Sequence, residues 1–222
     1  YGVTNIEQAT ANYHGDPLKR KKMEAWGRMK QKMEMMFWGG VRDVTSSTTN
    51  PIYHNGGILY WLRNQFTDVA VSDVSGILSK DQWEEWLQDV LKYNSMEKWV
   101  FCSSPVLTAV SGFAGNQLRI NDVDSKKFGM SIQTYQSPFG KVNLVREPLF
   151  DEVSAWNGMA VCLDLNNILY RYMEGNGLNL DMAAYENIQE NDRSARKGEY
   201  RGVVGIDVRV GKSHGILLNV QR

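Results

Sequence analysis

Only two cysteines occur in the 222 residues, each inside a short apolar run: Trp99-Val100-Phe101-Cys102 and Met159-Ala160-Val161-Cys162-Leu163. Two such thiols exclude a disulfide framework and read as buried strand cysteines in a reducing cytoplasm. Histidine is nearly as sparse. His14, His54 and His214 are far apart and lack a cysteine or second histidine at ligand spacing, which excludes a structural zinc site and leaves surface or turn positions. Neither a metal nor a cofactor is expected. Lys and Arg (25) balance Asp and Glu (25), so the net charge is zero and the phosphate-neutralising excess of a dedicated nucleic-acid binder is missing. No apolar run approaches the roughly 18 to 20 residues of a membrane span, and no signal-peptide core begins the chain, so a soluble protein is expected. The first residue is Tyr, not Met, which reads as the loss of an upstream segment.

Catalytic patterns are equally thin. The stretch from Gly205 to Gly211-Lys212-Ser213 approximates a phosphate loop but carries one residue too many between its glycines, and its interior alternates like a strand. A strand followed by a turn is expected instead. Glu84 and Glu85 are adjacent, and helix neighbours diverge by about 100°, so they belong to a solvated face and not to an acid/base pair. No serine lies in a nucleophile-elbow setting; Val110-Ser111-Gly112 lacks the first glycine. The chain does not read as an enzyme.

What is abundant is material for a core, 42% hydrophobic residues with seven Trp and ten Tyr, enough for one domain or two small ones. Asp16-Pro17 opens a long helix that Gly39-Gly40 closes. Trp26, Met29, Met33, Met36 and Phe37 follow the 3.6-residue period on one face, which is expected to be buried against the C-terminal strands. Seven Lys or Arg against three acids over residues 16–40 make the other face basic. Residues 1–15 read as an extended polar arm and residues 41–55, rich in Ser, Thr and Asn, as an exposed loop. Ile58, Leu59, Trp61 and Leu62 suggest a short helix after Gly56-Gly57. Ser79 and Gln82 form a capping box before Trp83, Trp86, Leu87, Val90 and Leu91, a second helix. Residues 98–102 read as a buried strand, and Ser104-Pro105 opens a third helix running to Gly115.

The second half changes to strands. Residues 130–136 and 141–146 alternate around Pro138-Phe139-Gly140, a hairpin signal. Residues 159–163 and 168–172 add two strands, and residues 174–200 form a polar surface excursion. Val204, Ile206, Val208 and Val210 give the strictest alternation, and residues 215–220 supply a last strand. Helices first and strands later predict α+β with antiparallel sheets. Trp83, Trp86 and Trp99 suit core packing, whereas Trp38, Trp61 and Trp156 lie beside loops and are candidates for contacts with other chains.

Several segments, in order, resemble the major capsid proteins of tailed bacteriophages. They are Val3-Thr4-Asn5-Ile6-Glu7-Gln8-Ala9 through Gly15, the helix ending Met33-Glu34-Met35-Met36-Phe37-Trp38-Gly39-Gly40, and Gly56-Gly57-Ile58. Further along come Trp99-Val100-Phe101-Cys102-Ser103-Ser104, Gln133 to Val145 with its Pro138-Phe139-Gly140 turn, Ala195-Arg196-Lys197-Gly198, and His214-Gly215. No single motif is specific; their order over most of the chain is. The resemblance implies the Hong Kong 97 capsid fold with a long spine helix. Residues 1–15 would be the remnant of an extended loop, 16–96 a peripheral domain, 97–190 mainly an axial domain, and 191–222 strands returning to the peripheral domain. It implies a shell of hexamers and pentamers of this chain around double-stranded DNA bound without sequence specificity, with other head proteins as possible partners. It also implies assembly in the host cytoplasm into a virion capsid, and no catalytic residues. In a shell, Arg193, Arg196 and Lys197 of the charged excursion would meet neighbouring subunits. An encapsulin-like compartment shell and a small α+β hydrolase are the alternatives.

Overall fold

A computed structural model describes residues 1–10, 15–45, 49, 51–114, 118–120 and 132–221, with the backbone alone at 114, 118–120, 132 and 133. His14, Met130 and the expected end of the third helix at Gly115 lie outside the described residues. The chain forms two compact units, Tyr1–Leu59 with Tyr170–Asp207, and Tyr60–Leu169 with Val208–Arg222. This division departs from the expected one. Residues 60–96 and the last strand belong with the middle of the chain, because their apolar residues close the same core as strands of residues 97–163.

The first unit begins with a strand, β1 (Gly2–Thr4), and a short helix, α1 (Asn5–Ala9), where an extended arm was expected. Thr4 accepts a hydrogen bond from the Glu7 N–H and caps the helix. The long helix α2 spans Pro17–Gly39; Asp16 Oδ1 accepts from the Leu18 N–H at 2.9 Å, and Pro17 occupies the first turn. Its periodic face is only half-buried. Trp26, Met29, Met33, Met36 and Phe37 keep intermediate exposure, and Pro17 and Trp38 alone of the helix are buried. The phase of the helix was legible; its burial was not, since the unit offers it little apolar surface. Beyond α2 the backbone folds back so closely that a Cβ on Gly57 would stand 2.7 Å from the Met36 carbonyl oxygen and from the Gly40 nitrogen, which makes glycine obligatory there. The expected loop contains a ribbon, β2 (Asp43–Thr45) paired antiparallel with β3 (Ile52–His54), all six residues exposed.

The second unit opens with α3 (Ile58–Tyr60), which starts in the first, and continues as a π-helical turn, Trp61–Gln65. Strand β4 (Ala70–Ile77) was not anticipated, because its polar Ser72, Asp73 and Ser75 break the apolar alternation of a half-buried strand. Helix α4 (Lys80–Leu91) carries the complete capping box of Ser79 and Gln82. Then follow β5 (Glu97–Cys102), α5 (Ser104–Ala114), β6 (Leu118–Ile120), the hairpin β7 (Ile132–Ser137) and β8 (Gly140–Arg146), α6 (Pro148–Glu152), and β9 (Ala160–Leu163). Strand β10 (Ile168–Tyr172) leads back to the first unit.

There residues 174–201, expected as a surface excursion, are largely strands: β11 (Glu174–Gly175), β12 (Leu178–Asn179), β13 (Ala183–Glu186) and β14 (Ala195–Arg201). They lack an apolar period because most of their residues face solvent, and backbone pairing holds them instead: β14 lies between β1 and β13, antiparallel to both. Strand β15 (Val204–Val208) pairs with β10. The alternation expected to reach Val210 stops two residues early, since Val210 turns to φ 54° and is exposed. The final strand, β16 (Gly215–Gln221), enters the second unit's sheet, whose order is β4-β16-β9-β5-β8-β7-β6.

That sheet is mixed and not antiparallel as expected. β16 runs parallel to β4, and β5 parallel to β8, a pairing that needs a long crossover, supplied here by α5 and the β6–β7 excursion. β9, between β16 and β5, is buried at all four residues. Trp83, Trp86, Leu87 and Val90 of α4 and Val106 and Val110 of α5 pack with Val100, Leu144, Cys162 and Leu217 of the sheet into one core. Trp83 and Trp86 are buried as expected, whereas Trp99 is half-exposed.

Candidate functional site

Surfaces, not pockets of reactive groups, dominate the first unit. Arg193 lies in the turn joining β13 to β14, and Arg196 and Lys197 lie on β14; all three line one cleft of about 310 Å³ with Lys21 and Glu7. The Arg193 guanidinium stands 2.9 Å from Glu190, both well exposed, so water and salt screen that pair. A larger cleft of about 740 Å³ follows the last turns of α2, floored by Met29, Met33, Met36 and Met182, with Lys32 and Arg42 at its rim.

The three tryptophans proposed as contacts separate. Trp38 is 6% exposed and packed within its own chain, which removes it as a free contact residue. Trp61 and Trp156 are half-buried in the second unit, Trp61 against Phe66 at 6.5 Å between ring centroids and Trp156 edge-on to Phe150 at 6.1 Å, each keeping an exposed part.

Sequence reasoning missed a buried polar cluster in the second unit. Lys98 is fully buried on β5, and its ammonium donates three hydrogen bonds, to the carbonyls of Val90 (2.8 Å), Tyr93 (2.8 Å) and Ser213 (2.7 Å). Three N–H donors meet three carbonyls, two of them at and just beyond the C-terminus of α4, where the helix dipole favours a cation. Burial still pushes the Lys98 ammonium below the ordinary lysine range. His214, expected at a surface or turn, is fully buried. Its Nδ1 accepts from the Asp164 backbone N–H (3.3 Å), and Nε2 stands 3.0 Å from the Arg209 carbonyl, so Nε2 carries the proton. Burial, assisted by the Lys98 charge, holds its pKa below the usual value against the opposing pull of the Arg209 carbonyl and Asp164. Asp164 accepts from the Asn166 N–H and the Asn167 amide, and Asn167 also donates to the Ser213 hydroxyl. The sequence signal was a lysine directly before the apolar run Trp99-Val100-Phe101-Cys102.

The cluster stitches β5, the end of α4 and the turn before β16 together, with Lys98, Ser213 and His214 all fully buried. The chemical candidates elsewhere disperse. Cys102 and Cys162 are buried and free, and burial pushes the Cys162 thiol up to about 12 and Cys102 higher, so neither is a nucleophile. Glu84 is not simply solvated: it accepts from the buried Tyr135 hydroxyl and from Ser137 Oγ (2.8 Å), anchoring α4 to β7. Gly211-Lys212-Ser213 is a 3-10 turn after a strand, as expected, with Lys212 3.9 Å from Asp68. His54 is exposed on β3. Among the described residues, no three His, Cys, Asp or Glu side chains gather as metal ligands, and no helix is long and apolar enough to cross a membrane.

An α+β chain with a long amphipathic helix, exposed ribbons and a buried polar cluster that only braces its sheet has the makings of a subunit, and its fold is that of shell-forming proteins. The holo-SrpI encapsulin of Synechococcus elongatus PCC 7942 matches with a TM-score of 0.59 at 13% identity, over 99% of this chain and 71% of the encapsulin. A procapsid chain of satellite phage P4 matches at 0.56 and 12% identity (100% and 74% covered), and a chain from the structure of Mycobacterium phage Patience at 0.57 and 13% (97% and 66%). Residues 1–221 match the model of the SU10 major capsid protein family, and the chain belongs to that family. Comparison with curated proteins by sequence finds no match. The chain is therefore a structural protein of a phage capsid shell.

Proposed function

We propose that the chain forms the icosahedral head of a tailed phage in the Hong Kong 97 arrangement, α2 serving as spine helix, the first unit as peripheral domain and the second as axial domain. Hexamers and pentamers of one chain would enclose double-stranded DNA held without sequence specificity, which suits a net charge of zero. Assembly in the host cytoplasm and contacts with other head proteins belong to the same reading, as does the absence of catalysis. The observation that carries it is the family match over residues 1–221, supported by a first unit whose apolar helix face stays half-exposed in the isolated chain. The encapsulin match favours one alternative, a shell around protein cargo.

Electron microscopy and nucleic-acid analysis of particles from the full-length protein test both. Closed particles that package double-stranded DNA when co-expressed with a packaging apparatus support the phage head, particles enriched in one cargo protein support the alternative, and a protein that stays monomeric at high concentration overturns both. Arg193, Arg196, Lys197, Trp61 and Trp156 are proposed to face neighbouring subunits. Reversing the three cations to Glu is expected to leave the monomer's stability within about 0.5 kcal/mol of the parent, since all three are exposed, while blocking particle formation at low salt.

A further inference from the structure

The first unit carries a knob and a socket of matching chemistry. The knob is the hairpin of β11 and β12, turned through Asn176 and Gly177 at φ 51° and 77°, the left-handed pair that a tight two-residue turn demands. Residues 171–179 are all exposed, among them two large apolar side chains, Met173 (62%), next to the acid Glu174, and Leu178 (64%), across the ribbon from Gly175. The hairpin is anchored at its base: the Met173 N–H donates to the Val203 carbonyl (3.0 Å), Leu180 to Met173 (3.0 Å) and Val203 to Leu180 (2.8 Å). A four-residue ribbon of this kind gains nothing by holding two apolar side chains in water unless something covers them.

The socket is the cleft of about 740 Å³ along α2. Its methionine floor is apolar and deformable, suited to receiving another side chain's shape. Its rim carries Lys32 and Arg42, neither with an ion-pair partner among the described residues, against the single acid Asp43, which caps the Val44 N–H. Glu174 likewise has no ion-pair partner among the described residues, so the knob's charge complements the socket's.

We infer that the cleft along α2 receives the hairpin of residues 173–178 from a second copy of the chain, with Met173 and Leu178 on the methionine floor and Glu174 facing Lys32 and Arg42. The inference rests on the shell reading and names one of its contacts. Because knob and socket are different surfaces, the contact is heterologous and propagates from copy to copy, closing into rings when the rotation allows.

Two measurements on the full-length protein test it. In a mixture of subunits carrying either Met33→Cys or Leu178→Cys, mild oxidation is expected to give a disulfide-linked dimer that neither variant gives alone; the native Cys102 and Cys162 are fully buried and do not interfere. Independently, Glu174→Lys, and Lys32→Glu with Arg42→Glu, are each expected to raise the concentration for half-assembly about tenfold, and the three changes together to restore it toward the parent value. Normal shells with no cross-linked dimer, or a triple variant no better than the separate reversals, would overturn the contact while leaving the shell reading intact. Loss through the socket reversals but not through Glu174→Lys would assign the cleft to another occupant and also overturn it. A parent that forms no shells removes both.

Discussion

The two units of this chain solve their stability differently. In the second, α4, α5 and a mixed sheet bury Trp83, Val90, Val100, Cys162 and Leu217 completely, and even its buried cation has every N–H matched. In the first, the long helix α2 buries only Pro17 and Trp38, and among the described residues fourteen of the twenty-one exposed large hydrophobic ones lie there, although it is the smaller unit. A self-sufficient core and an incompletely covered surface on one chain are what a shell subunit needs. On the proposed reading, one part would hold its shape before assembly and the other would gain its remaining burial from neighbours.

The comparison breaks most easily at the second unit's core. Trp83→Ala is expected to cost about 4 kcal/mol, read by denaturant unfolding of the isolated chain, because it opens a cavity in the core beside Trp86 and Tyr135. A cost near that of a surface change would show that the second unit is no better packed than the first.

The polar cluster supplies a somewhat smaller effect with a pH signature. Lys98→Met removes the donor from three carbonyls, those of Val90 and Ser213 buried, and should cost about 3 kcal/mol. His214 titrates below its ordinary value in the folded chain, so on acidification the unfolded chain binds the proton first. Its contribution is thus fully present above about pH 6.5 and is lost as the pH falls from there through the folded-state pKa. Thermal melts between pH 7.5 and 5 should decline more steeply for the parent than for His214→Gln.

The smallest effect on folding is expected in the first unit. Met33→Asp should change the isolated chain's stability by less than about 1 kcal/mol, since Met33 is already half-exposed, yet it should prevent assembly by placing a carboxylate on the cleft floor. A loss of several kcal/mol in the monomer would mean that the helix face is as buried as its period suggests.

That period shows how far local pattern reaches. Asp16-Pro17 and Gly39-Gly40 bounded α2, and Ser79 with Gln82 started α4, because caps are chemistry between residues close in sequence. The β7–β8 hairpin followed from its short turn. Strand β4 and the ribbon of residues 183–201 stayed hidden because pairing with distant partners, not an apolar alternation, makes them strands. Of the candidate contacts, Arg193, Arg196 and Lys197 were legible as exposed charge. Trp38 was misjudged because a position beside a glycine says nothing about which distant residues cover it.

The sequence by itself determined the long helix α2 and helix α4 with their caps, the buried thiols and, through the order of weak motifs, the capsid family. Tertiary structure alone decided the rest. It made the sheet mixed by inserting β16 between β4 and β9, joined residues 60–96 to the middle of the chain, buried His214 beside Lys98, and left the methionine face of α2 half-open. The physical reason is range. Caps, turns and periodicity are set within a few residues, whereas burial, strand direction and charge pairing depend on which distant segments share a core.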